Sequence, residues 1–494
     1  MSSSEEVSKH KSLHSLSSRM LNPHCDTIPL RLEFVKEILD NTNIEPIVNV
    51  DNQETEGFVG PLGSLAEYGY NVNDARYVLN KKIKDFYQII SQIGGTLRYI
   101  KSGTSGHTFK GIIAGENGER INYAVKVVAY KKKEKYGNIN DIRRPENAEL
   151  LMIRVLSYFV VNQETPHIVL PIGTFNTSIN PFTNLIERKA VSKDNKKYKQ
   201  FLRQYANGDL SNTVSILISE WANRGDFLDF VRQMYTKFRL IHWKVFFFQI
   251  LSVLAVIQKK YPAFRHNDLK ANNILVHKIS NNQKKLHRYS ICGKDYYVPS
   301  IGYILKIWDF DFACIPGIVD NGKVNAKWTS DLNIKPRQNR YYDMHYFFNT
   351  FIRHGFFDTF MLSDAIPQEA KDFVNRVVPL DNPNYQTGEH IAERGRILID
   401  HEYIIPDKVL KTDPFFDEFR IGKKKKDEVA LNQESSNKIL NSVSSKQFRI
   451  YQPENQFHSE KRAIKGKRRL HKLVEIPSNE SSDSSSSVKF KSGD

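Results

Sequence analysis

Apolar and polar positions follow two different periodicities along the chain. Residues 86–180 contain short strand-like apolar runs that are separated by glycine turns. One segment among them, "PENAELLMIRVLSYFVV", has apolar residues at i, i+3, i+4 and i+7 from Met152 to Phe159, which predicts a helix with one apolar face. Residues 211–420 show mostly helical spacing, broken by loops. The pattern predicts an α+β fold in which a β-rich part precedes a larger helical part.

The two ends of the chain differ in composition from the rest. Residues 1–25 are polar and serine-rich, and residues 421–494 are low in complexity and finish with "SNESSDSSSS" and a basic stub. Both segments are typical of disorder. Residues 26–85 include "LRLEFVKEILD", which has helical spacing, and a turn-rich patch. They predict an ordered N-terminal extension, without indicating its role.

No stretch of the sequence predicts export or a membrane span. The apolar run "VFFFQILSVLAVI" at 245–257 is too short to cross a bilayer and contains Gln249 and Ser252, so a buried helix is expected. The N-terminal segment lacks the apolar centre of a secretory signal. The 3 cysteines show no paired spacing. This usage favours an intracellular, reducing compartment.

The formal net charge of +17 is partly carried by two basic clusters near the C-terminus. These lie at 423–426 and in "KRAIKGKRR" at 461–469. A solvated tail is the ordinary explanation, and contact with acidic or nucleic-acid-associated partners is the alternative. No aromatic side chains are interleaved with the charges, so sequence-specific reading of nucleic acid is not supported. The adjacent "SNESSDSSSS" is either a phosphoacceptor or part of that solvated tail.

A glycine-containing turn occurs in "YIKSGTSGHTFKGII", between two strand-like runs. Gly103 and Gly106 flank Thr104 and Ser105. Glycines allow backbone N–H groups to approach a phosphate closely. A hairpin turn with two glycines produces the same pattern, so the turn alone does not decide between these interpretations.

A lysine in the middle of an apolar strand is the next candidate. Lys126 lies in "YAVKVVAY", and a buried lysine needs a partner because an unpaired buried charge is costly. It either reaches the solvent from an edge strand or contacts a phosphate while a carboxylate holds it. Glu149, on the apolar face of the predicted helix, is the preferred carboxylate partner for Lys126. Glu146 on the same helix is the second choice.

The strongest cluster of polar residues is "HNDLKANN", followed by an apolar run and later by "IWDFDFA". Phosphoryl transfer requires positioning and charge neutralisation rather than covalent chemistry by the protein. Asp268 is suited to accept the proton of an attacking hydroxyl, and Lys270 to neutralise the γ-phosphate. Asn273 and Asp309 offer the hard oxygen ligands that Mg²⁺ prefers. His266 is expected to brace the loop.

These motifs, in this order, resemble the protein-kinase family. The resemblance implies a bilobal fold at 86–420, with a small β-rich N-lobe at 86–219, a larger helical C-lobe at 220–420, and ATP with Mg²⁺ between them. It implies an ATP-dependent serine/threonine protein kinase, because Lys270 follows Asp268 at the position typical of that group, and it makes Asp343 a buried structural aspartate. The residues it implies for nucleotide binding are Ile100, Lys101, Ser102, Gly103, Thr104, Ser105, Gly106, His107, Thr108, Ala124, Lys126 and Glu149, with backbone groups of Glu220 and Ala222 at the adenine.

The sequence departs from the family pattern at several positions. Lys101 replaces the first loop glycine, and Asn267 replaces the arginine before the catalytic aspartate, so we expect no dependence on phosphorylation of an activation loop. Asp311 replaces the glycine of the metal-binding motif, which restricts flipping of that motif. No A-P-E follows, and the acceptor-docking surface is therefore undefined. An extended hairpin is expected in the insertion between Asn273 and Asp309.

Two stretches, "RPENAELLMIRVLSYFVVN" and "PHIVLPIGTFN", resemble atypical kinases of large cytoplasmic DNA viruses. These viruses include the iridoviruses, ascoviruses and poxviruses. This resemblance implies a place in the host cytoplasm or the virion. One rival interpretation is a small-molecule kinase of the choline or aminoglycoside type, which Asn267 and Asp311 favour and Lys270 and Asp343 oppose. A second rival is a nucleotide-binding pseudokinase scaffold, although the side chains that the chemistry requires are present.

Overall fold

A computed structural model describes residues 27–420, except 41, 51–70, 104–105, 115–119, 133–135, 280–285, 325, 380–381 and 383–384. The predicted disordered segments at 1–25 and 421–494 lie outside the described residues, as do Thr104 and Ser105. The described part has an α+β fold: a β-sheet-rich region is followed by a mainly helical region.

Five strands form the main sheet, in the order β1-β2-β3-β5-β4, and every pair is antiparallel. The strands are β1 (Thr96–Ser102), β2 (Gly106–Ala114), β3 (Arg120–Lys131), β4 (Pro171–Ser178) and β5 (Leu210–Glu220). In the centre of β3, buried Val125 and Val127 alternate with Lys126, because successive side chains of a strand point to opposite faces. This alternation turns Lys126 away from the face that carries the apolar core.

The remaining strands form two short antiparallel ladders in the helical region. They are β6 (Ile274–Lys278), β7 (Leu286–Ile291), β8 (Lys294–Pro299) and β9 (Tyr303–Ile307). β6 pairs with β9, and β7 pairs with β8. The β7–β8 pair is the hairpin that the insertion between Asn273 and Asp309 predicts.

The helices of the described residues include α5, which lies outside the ranges that are assigned strands or helices from the sequence. In chain order they are α1 (Ile28–Asp40), α2 (Ala75–Val78), α3 (Phe86–Ile93), α4 (Pro145–Val161), α5 (Lys196–Ala206), α6 (Phe227–Met234), α7 (Leu240–Lys260), α8 (Lys327–Ser330), α9 (Tyr342–Asn349), α10 (Thr359–Leu362), α11 (Gln368–Val377) and α12 (Pro406–Thr412). Short 3₁₀ turns lie at Asn180–Phe182, Tyr235–Lys237, Ala271–Asn273 and Pro414–Phe419. Helix α4 begins with Pro145, which suits a first helical turn because its missing N–H would have no helical partner there.

Helix α7 is the centre of the helical region. Among the described residues it is the helix long and apolar enough to cross a membrane by length and composition, yet 78% of its most apolar window is buried inside the protein. Its aromatic side chains pack against α9 and α11, for example Phe247 against Phe348 at a ring distance of 5.0 Å. We therefore interpret α7 as a core helix, as the sequence indicates.

The N-terminal extension packs into the same core as the main sheet. On α1, Phe34, Val35 and Ile38 are buried in this core. Farther on, the Lys81 ammonium is fully buried and donates to Tyr130 Oη at 2.6 Å and to Asn147 Oδ1 at 2.8 Å. Burial lowers the pKa of Lys81 to about 7. These contacts tie the extension to β3 and α4.

Candidate active site

The β6–β9 ladder brings two predicted metal ligands together. Asn273 immediately precedes β6 and Asp309 follows β9 by two residues, and the antiparallel register pairs Ile274 with Ile307. The backbone continues this pairing, since Trp308 N donates to Asn273 O at 3.0 Å. Residues far apart in sequence are thereby placed beside each other at one end of the ladder.

Lys126 connects the main sheet to this ladder. Its ammonium lies 2.6 Å from Glu149 Oε1 on α4 and 3.0 Å from Asp309 Oδ1. Glu146, the second candidate partner, instead contacts Arg144 at 3.1 Å. Lys126 also lies 5.6 Å from the centre of the Trp308 ring. One ammonium thus joins β3, α4 and the loop after β9.

Several carboxylates lie near the Lys126 ammonium, and this excess of negative charge shifts the pKa values of the lysine and of the carboxylates. Burial alone would lower the pKa of Lys126, but the charges of Asp309 and Glu149 outweigh it and raise that pKa above its usual range. Burial raises the pKa of Glu149 to about 7, and the nearby carboxylates of Asp309 and Asp311 add to the rise. For Asp309 the ammonium of Lys126 overcomes burial and lowers the pKa to about 2. A proton is therefore taken up most readily at Glu149.

The loop that carries Asp268 is fixed by a buried aspartate on α9. Asp343 accepts hydrogen bonds from the backbone N–H groups of His266 at 2.6 Å and Asn267 at 2.9 Å. Burial raises the pKa of Asp343, although these two donors oppose the rise. His266 Nε2 is 3.0 Å from Trp308 O, so this histidine joins the loop to the end of β9. Asn267 has a positive φ of 63°, a conformation that asparagine tolerates better than most residues.

Asp268 is held by three side chains. Its Oδ2 accepts from Lys270 Nζ at 3.0 Å and from Asn273 Nδ2 at 2.8 Å. Its Oδ1 accepts from the Arg396 guanidinium, which comes from the segment after α11. Lys270 and Asn273 are the predicted neighbours, whereas Arg396 is an addition that the sequence does not indicate.

A cleft of about 840 Å³ lies between the main sheet and the helical region. Of the predicted site residues, those that line it are Ile100, Lys101, Ser102, Gly103, Gly106, Thr108, Ala124, Lys126, Glu220, Ala222, Asp268, Lys270, Asn273 and Asp309. Glu149 is placed behind Lys126 rather than on the cleft wall. His107 faces away from this cleft because it alternates along β2 with Gly106 and Thr108.

His107 is instead covered by the unpredicted helix α5. Its ring lies 4.4 Å from that of Phe201 and 5.4 Å from that of Tyr198, and its Nδ1 is 2.9 Å from Ser102 Oγ. Burial lowers the pKa of His107 to about 4. The glycine turn is therefore anchored from outside by α5, and α5 also extends Lys197 to the mouth of the cleft.

The two glycines of the turn serve different purposes. A Cβ at Gly106 would lie 1.8 Å from the carbonyl oxygen of Val127, so glycine is required there by the close approach of β2 to β3. A Cβ at Gly103 would meet no atom closer than 3.8 Å. Gly103 lines the cleft, and its N–H donates to Gly106 O at 2.7 Å across the turn. Gly106 is explained by packing between the strands.

Glu220 ends β5 with its side chain turned into a buried ion cluster. Its carboxylate accepts from Arg31 of α1 at 2.5 Å and from Lys306 of β9 at 2.8 Å. Burial alone would raise the pKa of Glu220, but these two cations lower it to about 2. Arg31 also donates to the backbone oxygens of Pro166 and Ile168, at 2.7 and 2.6 Å. The N-terminal extension thus fastens the segment that joins the sheet to the helical region.

The residues after Asp309 are held in one conformation. Phe310 is fully buried, with its ring 5.1 Å from that of His266. Asp311 forms an ion pair with Lys323, and its backbone oxygen accepts from Asn321 Nδ2 at 3.0 Å. The positive φ of this motif occurs at Asp309, at 63°, and not at Asp311. Restricted flipping of this motif, which the aspartate in place of glycine implies, stays a prediction.

An arginine does contact the segment after this motif, although it does not come from position 267. Arg265 donates to the backbone oxygens of Asn333 and Arg337 and stacks 3.8 Å from the Tyr342 ring centre. Its guanidinium therefore holds the segment through carbonyl groups. A phosphate is not needed for this contact.

Two arginines that the sequence does not predict contact the site over long sequence distances. Arg31 and Arg396 each stand in segments without a recognisable motif, so no local signal marks them. Helix α5 had a detectable signal, because Tyr198, Phe201 and Leu202 have the i, i+3, i+4 spacing of an amphipathic helix.

The donor set at the end of the β6–β9 ladder fits a magnesium ion that also binds phosphate oxygens. Asp309 uses Oδ1 for Lys126, and Asn273 turns its amide nitrogen to Asp268, so an oxygen of each is left for other contacts. Within the described ranges, no group of three His, Cys, Asp or Glu side chains could hold a metal by itself. Mg²⁺ commonly uses one or two carboxylates together with substrate phosphates and waters, which is the arrangement these residues offer.

Comparison with known proteins identifies relatives across most of the chain. A sequence model of the family described as poxvirus serine/threonine protein kinase matches residues 147–364. A protein of Acanthamoeba polyphaga mimivirus, named as a serine/threonine-protein kinase, is 46% identical over 395 residues, which cover 79% of this chain and 80% of the relative. A second protein of that virus with the same description is 25% identical over 348 residues, or 58% of this chain and 83% of the relative. One of Invertebrate iridescent virus 6, also named as a serine/threonine-protein kinase, is 36% identical over 84 residues, which are 16% of each chain.

The α+β fold, the lysine-centred cleft and these relatives together define a protein kinase. The chain belongs to the viral serine/threonine protein kinase family that includes the poxvirus, mimivirus and iridovirus proteins. Its activity is accordingly transfer of phosphate from ATP to protein hydroxyl groups. The predicted class, serine/threonine protein kinase of viral type, is confirmed.

Proposed function

We propose that phosphoryl transfer takes place in the cleft that Lys126 and Asp309 share, within a bilobal kinase domain at 86–420. In this proposal the N-lobe comprises 86–219 and the C-lobe 220–420. The five-stranded sheet with α4 supports the first assignment, and the helices around α7 support the second. The cleft volume of about 840 Å³ is sufficient for a nucleotide.

The central residues of the cleft have distinct roles in this proposal. Lys126 binds the α- and β-phosphates and is held by Glu149, while the backbone at Gly103 covers the phosphates. Backbone groups of Glu220 and Ala222 contact the adenine. The Glu220 carboxylate has a separate role, since Arg31 and Lys306 occupy it.

Asp268 accepts the proton of the serine or threonine hydroxyl as that oxygen attacks. In this proposal Lys270 neutralises the transferred phosphate, and its distance of 3.0 Å from Asp268 supports that role. Asn273 and Asp309 would hold Mg²⁺. When bound, the ion supplies charge neutralisation at the phosphate oxygens.

One observation carries the proposal most strongly: Lys126 Nζ is 3.0 Å from Asp309 Oδ1, although the two residues are 183 positions apart. The test is the turnover of Asp268→Asn with labelled ATP and a protein acceptor. We expect a loss of about 10²–10⁴-fold, the range for removal of a general base. Near-normal turnover in that variant would remove Asp268 from the role.

The same assay separates the rival interpretations. Phosphoserine or phosphothreonine in the hydrolysed product supports the proposal. Label found on choline-like or sugar acceptors and absent from protein would favour a small-molecule kinase. ATP binding without label on any acceptor would favour a pseudokinase.

We also propose an intracellular, reducing location, the host cytoplasm or the virion, and acidic or nucleic-acid-associated partners for the basic tail. The free thiols of Cys292 and Cys314 support the first point. The second rests on the composition of residues 421–494, which lie outside the described residues. It is tested by comparing how the full chain and a chain ending at residue 420 bind an acidic polymer as the salt concentration rises.

A further inference from the structure

The segment at 385–400 carries a side chain into the centre of the site. The bridge between Ile391 and Ile397 turns this segment back on itself, with Gly395 at the turn at φ +85°. Asn349 Nδ2 of α9 donates to the Gly395 carbonyl at 2.8 Å. The turn thus presents Arg396, whose guanidinium forms an ion pair with Asp268 Oδ1.

Contacts that do not involve Asp268 fix the position of Arg396. Its guanidinium lies 4.7 Å from the ring centre of Tyr346 on α9, and its Nε donates to Asn267 O at 3.3 Å. Its backbone oxygen accepts from Ala392 N at 2.8 Å. The side chain is 8% exposed. The Arg396 side chain is therefore buried and held in place beside Asp268, unlike an exposed surface arginine.

The consequence concerns the orientation of the Asp268 carboxylate. Lys270 and Asn273 both donate to Oδ2, and Arg396 donates to Oδ1. Donors on both oxygens prevent the carboxylate from rotating. A carboxylate oxygen has two lone pairs. Oδ1 uses one for Arg396 and keeps one, while both sites on Oδ2 are occupied.

We propose that Arg396 is a positioning residue for phosphoryl transfer, which directs the remaining Oδ1 lone pair toward the acceptor hydroxyl. This inference rests on the role proposed for Asp268. Without Arg396, Asp268 keeps Lys270 and Asn273 on one oxygen and is free to turn the other away from the acceptor. The family model matches residues 147–364. Arg396 lies outside that range, so the match gives it no role.

The experiment compares Arg396→Ala and Arg396→Lys in the full chain, with dephosphorylated casein as acceptor. We expect Arg396→Ala to lower kcat about 10²-fold, the effect of a small misplacement of a catalytic group, while KM for ATP stays within about twofold. Arg396→Lys keeps the charge and should retain an intermediate kcat. Millimolar guanidinium chloride should raise kcat of the alanine variant and leave the wild type unchanged, because the free ion can occupy the vacated site.

A matched control separates positioning from a loss of folding. Arg353 fastens the same segment by donating to Glu393 O at 3.1 and 2.9 Å and has no contact with Asp268. Arg353→Ala should therefore keep kcat near the wild-type value. Equal losses in Arg353→Ala and Arg396→Ala, without guanidinium rescue, would overturn the proposal.

Two further outcomes show whether the role of Arg396 or the role of Asp268 is wrong. Wild-type or increased kcat in Arg396→Ala, with Asp268→Asn inactive, would refute the positioning role alone; an increase would mean that the arginine blocks the base. Normal turnover of Asp268→Asn would refute the role of Asp268 itself, and the inference about Arg396 with it.

Discussion

Replacement of Arg31 by methionine tests whether the N-terminal extension is required by the kinase fold. Arg31 makes hydrogen bonds of 2.9 and 2.5 Å to Glu220 and of 2.7 and 2.6 Å to the backbone oxygens of Pro166 and Ile168. Methionine fills similar space without any donor. Two backbone oxygens then lose the donor that Arg31 supplies, and Glu220 retains Lys306 at 2.8 Å.

The expected destabilisation follows from these losses. Breaking a buried ion pair from one side costs about 3–5 kcal/mol, and each buried carbonyl left without a donor adds to it by roughly 1 kcal/mol or more. Because Lys306 still neutralises Glu220, we expect Arg31→Met to lower the free energy of unfolding by about 3 kcal/mol in total. For a domain of this size, with an unfolding entropy of about 2.1 cal/mol/K per residue, the corresponding fall in Tm is roughly 4 °C. Thermal unfolding followed by circular dichroism measures it.

The control for this variant is Arg76→Met, which removes another arginine of the extension. The Arg76 side chain is 57% exposed and pairs with Asp74 at the surface, so a change below about 1 kcal/mol is expected. Below the melting temperature, Arg31→Met should also raise KM for ATP, since Glu220 ends the strand whose backbone is proposed to bind adenine. A Tm within about 2 °C of the wild type would refute the view that the extension holds this junction.

The remaining predictions concern the lysine cluster and the glycine turn. Lys126→Met should abolish transfer to protein while the circular dichroism spectrum remains native, and wild-type rates would mean that this lysine does not contact the phosphates. Because the pKa of Glu149 rises from 4.5 to about 7 on folding, the folded state binds more protons in this window and the group's contribution to stability falls as pH increases. Relative to the wild type, Glu149→Gln should therefore shift the slope of Tm against pH between about 5 and 7 in the positive direction, and an unchanged slope would contradict the raised pKa. Phe201→Ala should cost about 3 kcal/mol and, by uncovering His107, loosen the glycine turn; a rise in KM for ATP checks this, and an unchanged KM would mean that α5 does not anchor the turn.

The local sequence determined the strands, the main helix and most of the chemistry. Lys126 could be predicted from its position in an apolar strand, and Asp268, Lys270 and Asn273 from one short motif. Such motifs need few residues in a fixed order, because a loop pinned by a following strand places its side chains by local geometry. Glu149 and Glu146 are three residues apart and lie on a similar face of the helix, so periodicity leaves both open. The structure pairs Glu149 with Lys126 and Glu146 with Arg144.

Only the tertiary structure decided which distant residues complete the site. Arg31 contacts Glu220 across 189 positions and Arg396 contacts Asp268 across 128, and neither pairing follows from a periodicity or a motif. The kinase resemblance implies that His107 binds the nucleotide, which is wrong, because strand alternation and the cover of α5 turn its side chain away from the cleft. Local spacing fixes which way a side chain points from its own element. The partner that it meets depends on how separate elements pack, and burial makes that partner necessary because a charge removed from water must be compensated.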